Sequence, residues 1–171
     1  MTLLELVRHL NLAIVVLFTV LYLYQGFYVV VALARRRWRD RRQPEKLRRF
    51  AAIVAARNEE GVIGELLESL QKQNYPGELL DLYVVADNCT DGTAAAARRA
   101  GAVVYERFDQ TRKGKGYAMD YLFKRLKEEG RDGYDGYFVF DADNLVDPDF
   151  VSEMNRTFDR GYDAVTCYRN S

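Results

Sequence analysis

A chain of 171 residues accommodates one modest domain plus an appendage, and its 49% hydrophobic and 29% charged residues permit a packed core and exclude wholesale disorder. The net charge of zero hides a division: residues 35–49 hold nine Lys/Arg against Asp40 and Glu45, giving +7, and because Glu5 and Arg8 cancel, residues 50–171 carry −7. A basic hinge on an acidic domain argues against a nucleic-acid binder, which spreads positive charge over its folded part, and suits an anionic membrane surface.

The first element is an uncharged run over residues 10–34, LNLAIVVLFTVLYLYQGFYVVVALA. As a helix its 25 residues reach roughly 37 Å, more than a hydrocarbon core of about 30 Å. Tyr24, Tyr28 and Trp38 suit an interface, and the arginine run follows at once. Positive residues stay on the cytoplasmic side, so the spacing predicts one transmembrane helix with the N-terminus outside and the C-terminal domain in the cytoplasm. Ala32-Leu33-Ala34 resembles a signal-cleavage site, but the apolar stretch is too long and the arginines oppose export. A buried core helix would need a polar face that this run lacks. The expected organisation is an anchor at 1–34, a basic juxtamembrane linker at 35–47 and a folded domain at 48–171. Cys89 and Cys167 form no CxxC pair and His9 is the single histidine, so a structural zinc site is excluded and reduced thiols are expected.

After Pro44 short apolar runs alternate with helical periodicity. Strands are predicted at 48–56, 79–87, 102–105, 137–143 and 163–168. Helices are predicted at 61–73, with Val62, Ile63, Leu66, Leu67 and Leu70 inward, and at 93–100, at 116–129, with Ala118, Tyr121, Leu122 and Leu126 inward, and at 149–160. Strands alternating with helices imply an α/β fold with a doubly wound, mostly parallel sheet. Such sheets bind ligands beyond the carboxyl ends of their strands, which directs attention to the loops beginning near Arg57, Asp87, Glu106 and Asp141.

The fourth-strand loop is Phe140-Asp141-Ala142-Asp143-Asn144. Strand alternation would put Asp141 and Asp143 on one side with Ala142 opposite, and two neighbouring carboxylates repel unless a cation or a donor sits between them. Oxygen ligands plus substrate phosphates suit Mg²⁺ or Mn²⁺. In the second-strand loop, Thr90 or Asp91 reads as a helix N-cap, while Asp87 at the strand end is placed to accept a uracil N3–H or a ribose hydroxyl. The third-strand loop, Arg112-Lys113-Gly114-Lys115-Gly116, opens a helix with glycines for close backbone approach and cations for a diphosphate. It is neither a Walker A loop nor GxGxxG, which counts against an ATPase and a nicotinamide dehydrogenase. The first-strand loop, Ala55-Ala56-Arg57-Asn58-Glu59-Glu60, reads as a polar cap with Asn58 starting the next helix.

Taken in order, AARNEE (55–60), VVADNCTDGT (84–93), KGKGYAMD (113–120) and FDADN (140–144) resemble the family-2 inverting glycosyltransferases of the glycosyltransferase-A fold, a Rossmann-like group that includes cellulose, hyaluronan and poly-N-acetylglucosamine synthases. The resemblance covers about residues 48–169, and a preceding membrane helix recurs in the family. It implies a hexosyltransferase-type enzyme of polysaccharide biosynthesis that takes a nucleotide-diphosphate sugar, usually UDP-linked, and passes it with inversion to a saccharide or lipid hydroxyl. By position it implies that Ala55, Arg57 and Glu59 line the nucleoside pocket, that Asp87 contacts the base, and that Lys113 and Lys115 approach the diphosphate. Asp141 would lie by the ribose and metal, with Asp143 as the main ligand of Mg²⁺ or Mn²⁺. Family members continue with an acidic base motif and an acceptor region, so the catalytic base is expected beyond Ser171, or from a second chain completing the domain. The competing expectations are a noncatalytic membrane-tethered scaffold that docks a partner, and a sugar nucleotidyltransferase. The latter would place a basic glycine-rich loop where AARNEE stands.

Overall fold

The computed structural model of the chain describes residues 3–37, 44 and 46–167. It falls into two units, Met1–Arg42 and Gln43–Ser171.

The described residues of the first unit form one α-helix, α1 (Leu3–Arg37), of 35 residues. The helix runs beyond both ends of the uncharged stretch, because Glu, Leu and Arg are good helix formers and charge does not interrupt the backbone ladder. The Thr19 hydroxyl donates to the Val15 carbonyl at 2.8 Å, so this polar group is satisfied inside the helix. Among the described residues α1 is the one helix long and apolar enough to cross a membrane, with a window of mean hydropathy 2.1.

The second unit is a four-stranded sheet with helices on both faces. Its elements are β1 (Phe50–Ala56), α2 (Ile63–Gln71), a 3₁₀ turn (Gly77–Leu79), β2 (Leu80–Asp87), α3 (Thr93–Arg99), β3 (Val103–Arg107), α4 (Lys115–Glu128), β4 (Gly136–Phe140) and α5 (Phe150–Phe158). The strands are all parallel in the order β3-β2-β1-β4. The central strand β1, FAAIVAA, is covered on both faces and reads accordingly as a continuous apolar run rather than an alternating one.

Alternation decides which helix each strand residue meets. Phe50, Ala52, Val54 and Ala56 pack with Val84, Phe138 and Phe140 against Ile63, Leu66, Leu67 and Leu70 of α2, Ala96 and Ala97 of α3 and Val151 of α5. Ala51 and Ile53 pack with Tyr83 and Val85 against Ala118, Leu122 and Leu126 of α4, which recur at i, i+4 and i+8. Chain order β1 to β2 to β3 runs outward on one side, and β4 then returns to the other side of β1. This is the reversal at which open parallel sheets form a ligand crevice.

The amino-terminal edge of β1 is fixed by polar contacts. The Tyr75 hydroxyl accepts from the Arg48 N–H at 2.9 Å and donates to its carbonyl at 2.7 Å. Asp135 accepts from the Arg49 N–H at 2.9 Å, Arg48 pairs with Asp159, and Arg49 pairs with Asp81 at 2.7 Å.

Several expected details are corrected. No strand forms at residues 163–167, and Tyr168 lies outside the described residues. Two strand-favouring residues there, Val165 and Thr166, find no ladder partner, and propensity alone does not make a strand. The fourth strand ends at Phe140, so Asp141 to Asp143 occupy a turn. Helix α2 starts at Ile63 and leaves Val62 exposed at its N-cap, while Tyr121 is only partly buried.

Candidate functional site

All four loops carrying the predicted residues leave the carboxyl edge of the sheet. The β1–α2 and β2–α3 loops are laced together. Asn58 adopts a left-handed backbone (φ 57°), and its Oδ1 accepts from the Thr90 N–H at 2.8 Å. Glu60 accepts from the Gly92 N–H at 2.9 Å, and a Cβ on Gly92 would stand 2.3 Å from Glu60 Oε1, so that position requires glycine or a displaced Glu60. The Glu59 N–H donates to the Thr93 hydroxyl at 2.8 Å, and its carbonyl accepts from Val62 and Ile63 to open α2. Asn58 is therefore a clamp between loops rather than the helix start expected of it.

The N-cap of α3 is Gly92, not Thr90 or Asp91. Asp91 nevertheless serves that turn, accepting from the Thr93 N–H at 3.0 Å and from its hydroxyl at 2.5 Å. These donors hold the Asp91 carboxyl below its ordinary pKa, the Thr93 hydroxyl most of all. Of the predicted nucleoside residues, Ala55 is half-buried on the α4 face, Glu59 is half-buried and Arg57 is exposed.

Asp87 closes β2 and is paired in register with Arg107 at the end of β3, so both side chains leave the same face of the sheet. Both are buried, at 6% and 7% exposure, and Arg107 Nη1 lies 2.6 Å from Asp87 Oδ1. A buried carboxylate requires such a partner. Asn88, also left-handed (φ 54°) and buried, donates from Nδ2 to Asp87 Oδ1 at 2.9 Å and to the Asp109 carbonyl at 3.1 Å. Its Oδ1 accepts from the Asp109 N–H at 2.9 Å. Arg107 Nη2 reaches Asp109 Oδ2 at 3.0 Å and the Arg112 carbonyl at 2.6 Å. Asp109 also takes the Thr111 hydroxyl and the Thr111 and Arg112 N–H groups. These donors, the hydroxyl foremost, pull its carboxyl down to about 2.

Sequence reasoning missed Asn88, Arg107 and Asp109. The Asp109-Gln110-Thr111 spacing is a legible turn signature, whereas the pairing of Arg107 with Asp87 follows only from strand register.

The basic loop leads into α4 through Gly114, whose φ of 122° disfavours any side chain. Arg112 and Lys113 are exposed. Lys115, the first residue of α4, extends to the loop after β4, where its Nζ lies 2.5 Å from Asp141 Oδ1. The two aspartates are arranged by a turn, not by strand alternation. Asn144 accepts from the Asp141 N–H at 3.2 Å and donates to Asp143 Oδ1 at 3.1 Å, and its own N–H donates to the Asp141 carbonyl. Ala142 is buried in the core, while Asp141 is half-buried and Asp143 exposed. Among the described residues no three His, Cys, Asp or Glu side chains converge as a metal cage. A pair of carboxylates at a crevice fits instead a hard divalent ion that completes its shell with substrate phosphates and water.

The chain is 44% identical over 69 residues to 4,4'-diaponeurosporenoate glycosyltransferase of Staphylococcus aureus, covering 40% of this chain and 17% of that protein. It is 32% identical over 102 residues to beta-monoglucosyldiacylglycerol synthase of Synechocystis, covering 60% and 21%. It thus spans about a fifth of the length of these relatives. Among solved structures its fold is shared by a mannosyltransferase of Pyrobaculum calidifontis in complex with GDP-Man and Mn²⁺ (TM-score 0.54, 23% identity, 81% of this chain and 42% of that one). It is shared also by S. aureus TarS in complex with UDP-GlcNAc (TM-score 0.53, 24% identity, 66% and 31%). Residues 48–171 match the family described as glycosyltransferase like family 2, and with the parallel sheet and its four loops in place, the chain belongs to that family of glycosyltransferases.

Proposed function

We propose that residues 48–171 form the donor-binding half of an inverting, divalent-metal-dependent glycosyltransferase that takes a UDP-linked sugar, with residues 1–34 as a membrane anchor and 35–47 as a basic juxtamembrane linker. The observation that carries this reading is the reach of Lys115 to Asp141: a cation at the start of α4 and a carboxylate in the loop after β4 meet at the carboxyl edge of the sheet. Family membership and the fold shared with complexes of GDP-Man and of UDP-GlcNAc support a nucleotide-sugar donor.

In this reading Ala55, Arg57 and Glu59 border the nucleoside, and Asp87 accepts a base N–H. Lys113 and Lys115 neutralise the diphosphate, and Asp141 and Asp143 hold Mg²⁺ or Mn²⁺. When bound, the ion supplies positive charge that stabilises the departing diphosphate. The protein's own part is electrostatic and positional: preset cations at the leaving group lower the barrier as a hydroxyl of a saccharide or lipid acceptor attacks the anomeric carbon. A general base accepts the hydroxyl proton. The arginine run over residues 35–42 supports placement of residues 48–171 in the cytoplasm.

Calorimetric titration of the full chain with UDP in the presence of Mn²⁺ tests the reading. Heat of binding that Asp143→Ala removes supports it. No heat from the unmodified chain would overturn it in favour of a scaffold role.

A further inference from the structure

The shared fold does not choose a nucleobase, since one structural neighbour was solved with a guanine nucleotide and another with a uracil nucleotide. The arrangement around Asp87 makes that choice. An ionised carboxylate has about four acceptor positions, two on each oxygen. At Asp87 both internal donors address the same oxygen: Arg107 Nη1 at 2.6 Å and Asn88 Nδ2 at 2.9 Å both meet Oδ1. Oδ2 receives no hydrogen bond from any described residue, and it is not among the buried atoms sealed without a partner. The carboxylate at the end of β2 is therefore saturated on one side and open on the other.

Guanine presents two adjacent donors, N1–H and the 2-amino group, and engages a carboxylate through both oxygens. Uracil presents one donor, N3–H, between two carbonyls. Cytosine offers a lone pair at N3, which the carboxylate repels. A carboxylate with a single available oxygen matches the uracil edge and leaves one guanine donor unpaired, and an unpaired buried donor is the strongest source of discrimination between similar ligands.

We propose that Arg107, assisted by Asn88, is a positioning residue that sets nucleobase specificity: by occupying Oδ1 of Asp87 it commits Oδ2 to the imide N–H of a uracil base. This rests on the donor-binding reading above. The same guanidinium grips Asp109 and the Arg112 carbonyl through Nη2, so it fixes the acceptor for the base and the loop leading to Lys113 and Lys115 as one body. Lysine cannot replace it, because an ammonium is a point charge and not a planar fork that reaches Asp87 and Asp109 together.

The experiment is calorimetric titration of the full chain in detergent with UDP, GDP and N3-methyl-UDP, each with Mn²⁺, for the unmodified protein and for Arg107→Lys and Arg107→Met. Circular dichroism and thermal melting accompany each variant. The unmodified chain is expected to bind UDP at least about tenfold more tightly than either GDP or N3-methyl-UDP, the scale of one hydrogen bond to a charged group. Both variants are expected to lose most of the UDP-over-GDP preference, a readout that general weakening of the fold would not move. Equal binding of UDP and GDP by the unmodified chain, full affinity for N3-methyl-UDP, or an unchanged preference in folded variants overturns the inference and leaves donor binding standing. Should both variants unfold, the N3-methyl-UDP comparison on the unmodified chain decides. No binding of any of the three nucleotides by the unmodified chain overturns the donor reading and this inference with it.

Discussion

Lys115 at the start of α4 and Asp141 beyond the end of β4 are separated by 26 positions in sequence and by 2.5 Å between Nζ and Oδ1. Both side chains are a little under half exposed, so the pair is a solvent-screened one worth about 0–1 kcal/mol. That is weak enough for incoming ligands to exchange. On the proposed donor-binding reading, a divalent ion would compete with Lys115 for Asp141, and a diphosphate with Asp141 for Lys115. Replacing Lys115 by Met is therefore expected to have opposite effects on the two. Mn²⁺ alone should bind severalfold more tightly, because its ligand is released, while UDP with Mn²⁺ should bind about tenfold or more weakly for loss of a charged donor. Paramagnetic resonance of free Mn²⁺ reads the first effect and calorimetry the second.

Asp143 is exposed and accepts one hydrogen bond, from its neighbour Asn144. Asp143→Asn should leave the melting temperature within a degree or two while abolishing the difference in UDP affinity with and without Mn²⁺. A melting temperature that falls together with affinity would assign Asp143 to the fold and not to the ion.

Phe50 lies at the opposite edge of the sheet from the loops. It is wholly buried against the rings of Tyr75, Phe138 and Phe158. Phe50→Ala is expected to cost about 3–5 kcal/mol in urea denaturation, the range for emptying a large aromatic site. UDP affinity of the folded fraction should be unchanged, because Phe50 opens β1 at the amino-terminal edge of the sheet, the opposite end from the loops.

The Asp109 carboxyl is held down at about 2 by the Thr111 hydroxyl, by the Arg112 and Thr111 N–H groups and by Arg107. A folded-state value below the unfolded one, about 3.9, means that its contribution to stability is full at higher pH and disappears as pH falls through the folded value. The stability gap between the unmodified chain and Asp109→Asn should be constant from about pH 8 to pH 5 and should close between about pH 4 and pH 2. Denaturation curves of the two proteins at a series of pH values measure it. A gap that widens toward acid would reverse the sign of the argument.

The sequence by itself determined the elements that rest on local periodicity and composition. The uncharged run before six closely spaced arginines specifies one long apolar helix, and strictly local spacings specify α2 and α4, with Leu66, Leu70, Leu122 and Leu126 inward. The continuous apolar character of β1 announces a strand covered on both faces, and the alternation of strands with helices specifies a parallel sheet whose carboxyl edge carries the four loops. Where local preference needed a partner, it misled. Residues 163–167 favour a strand but have no ladder to join, and Asp141 to Asp143 look like strand but belong to a turn closed by Asn144. Only the tertiary structure decided which side chains meet. Strand register set Arg107 beside Asp87, and the return of β4 to the far side of β1 brought Asp141 within reach of Lys115. The physical reason is range: periodicity reports neighbours three or four residues away, whereas a charge pair across strands depends on which strands adjoin and in what register, which pairing across the whole sheet fixes.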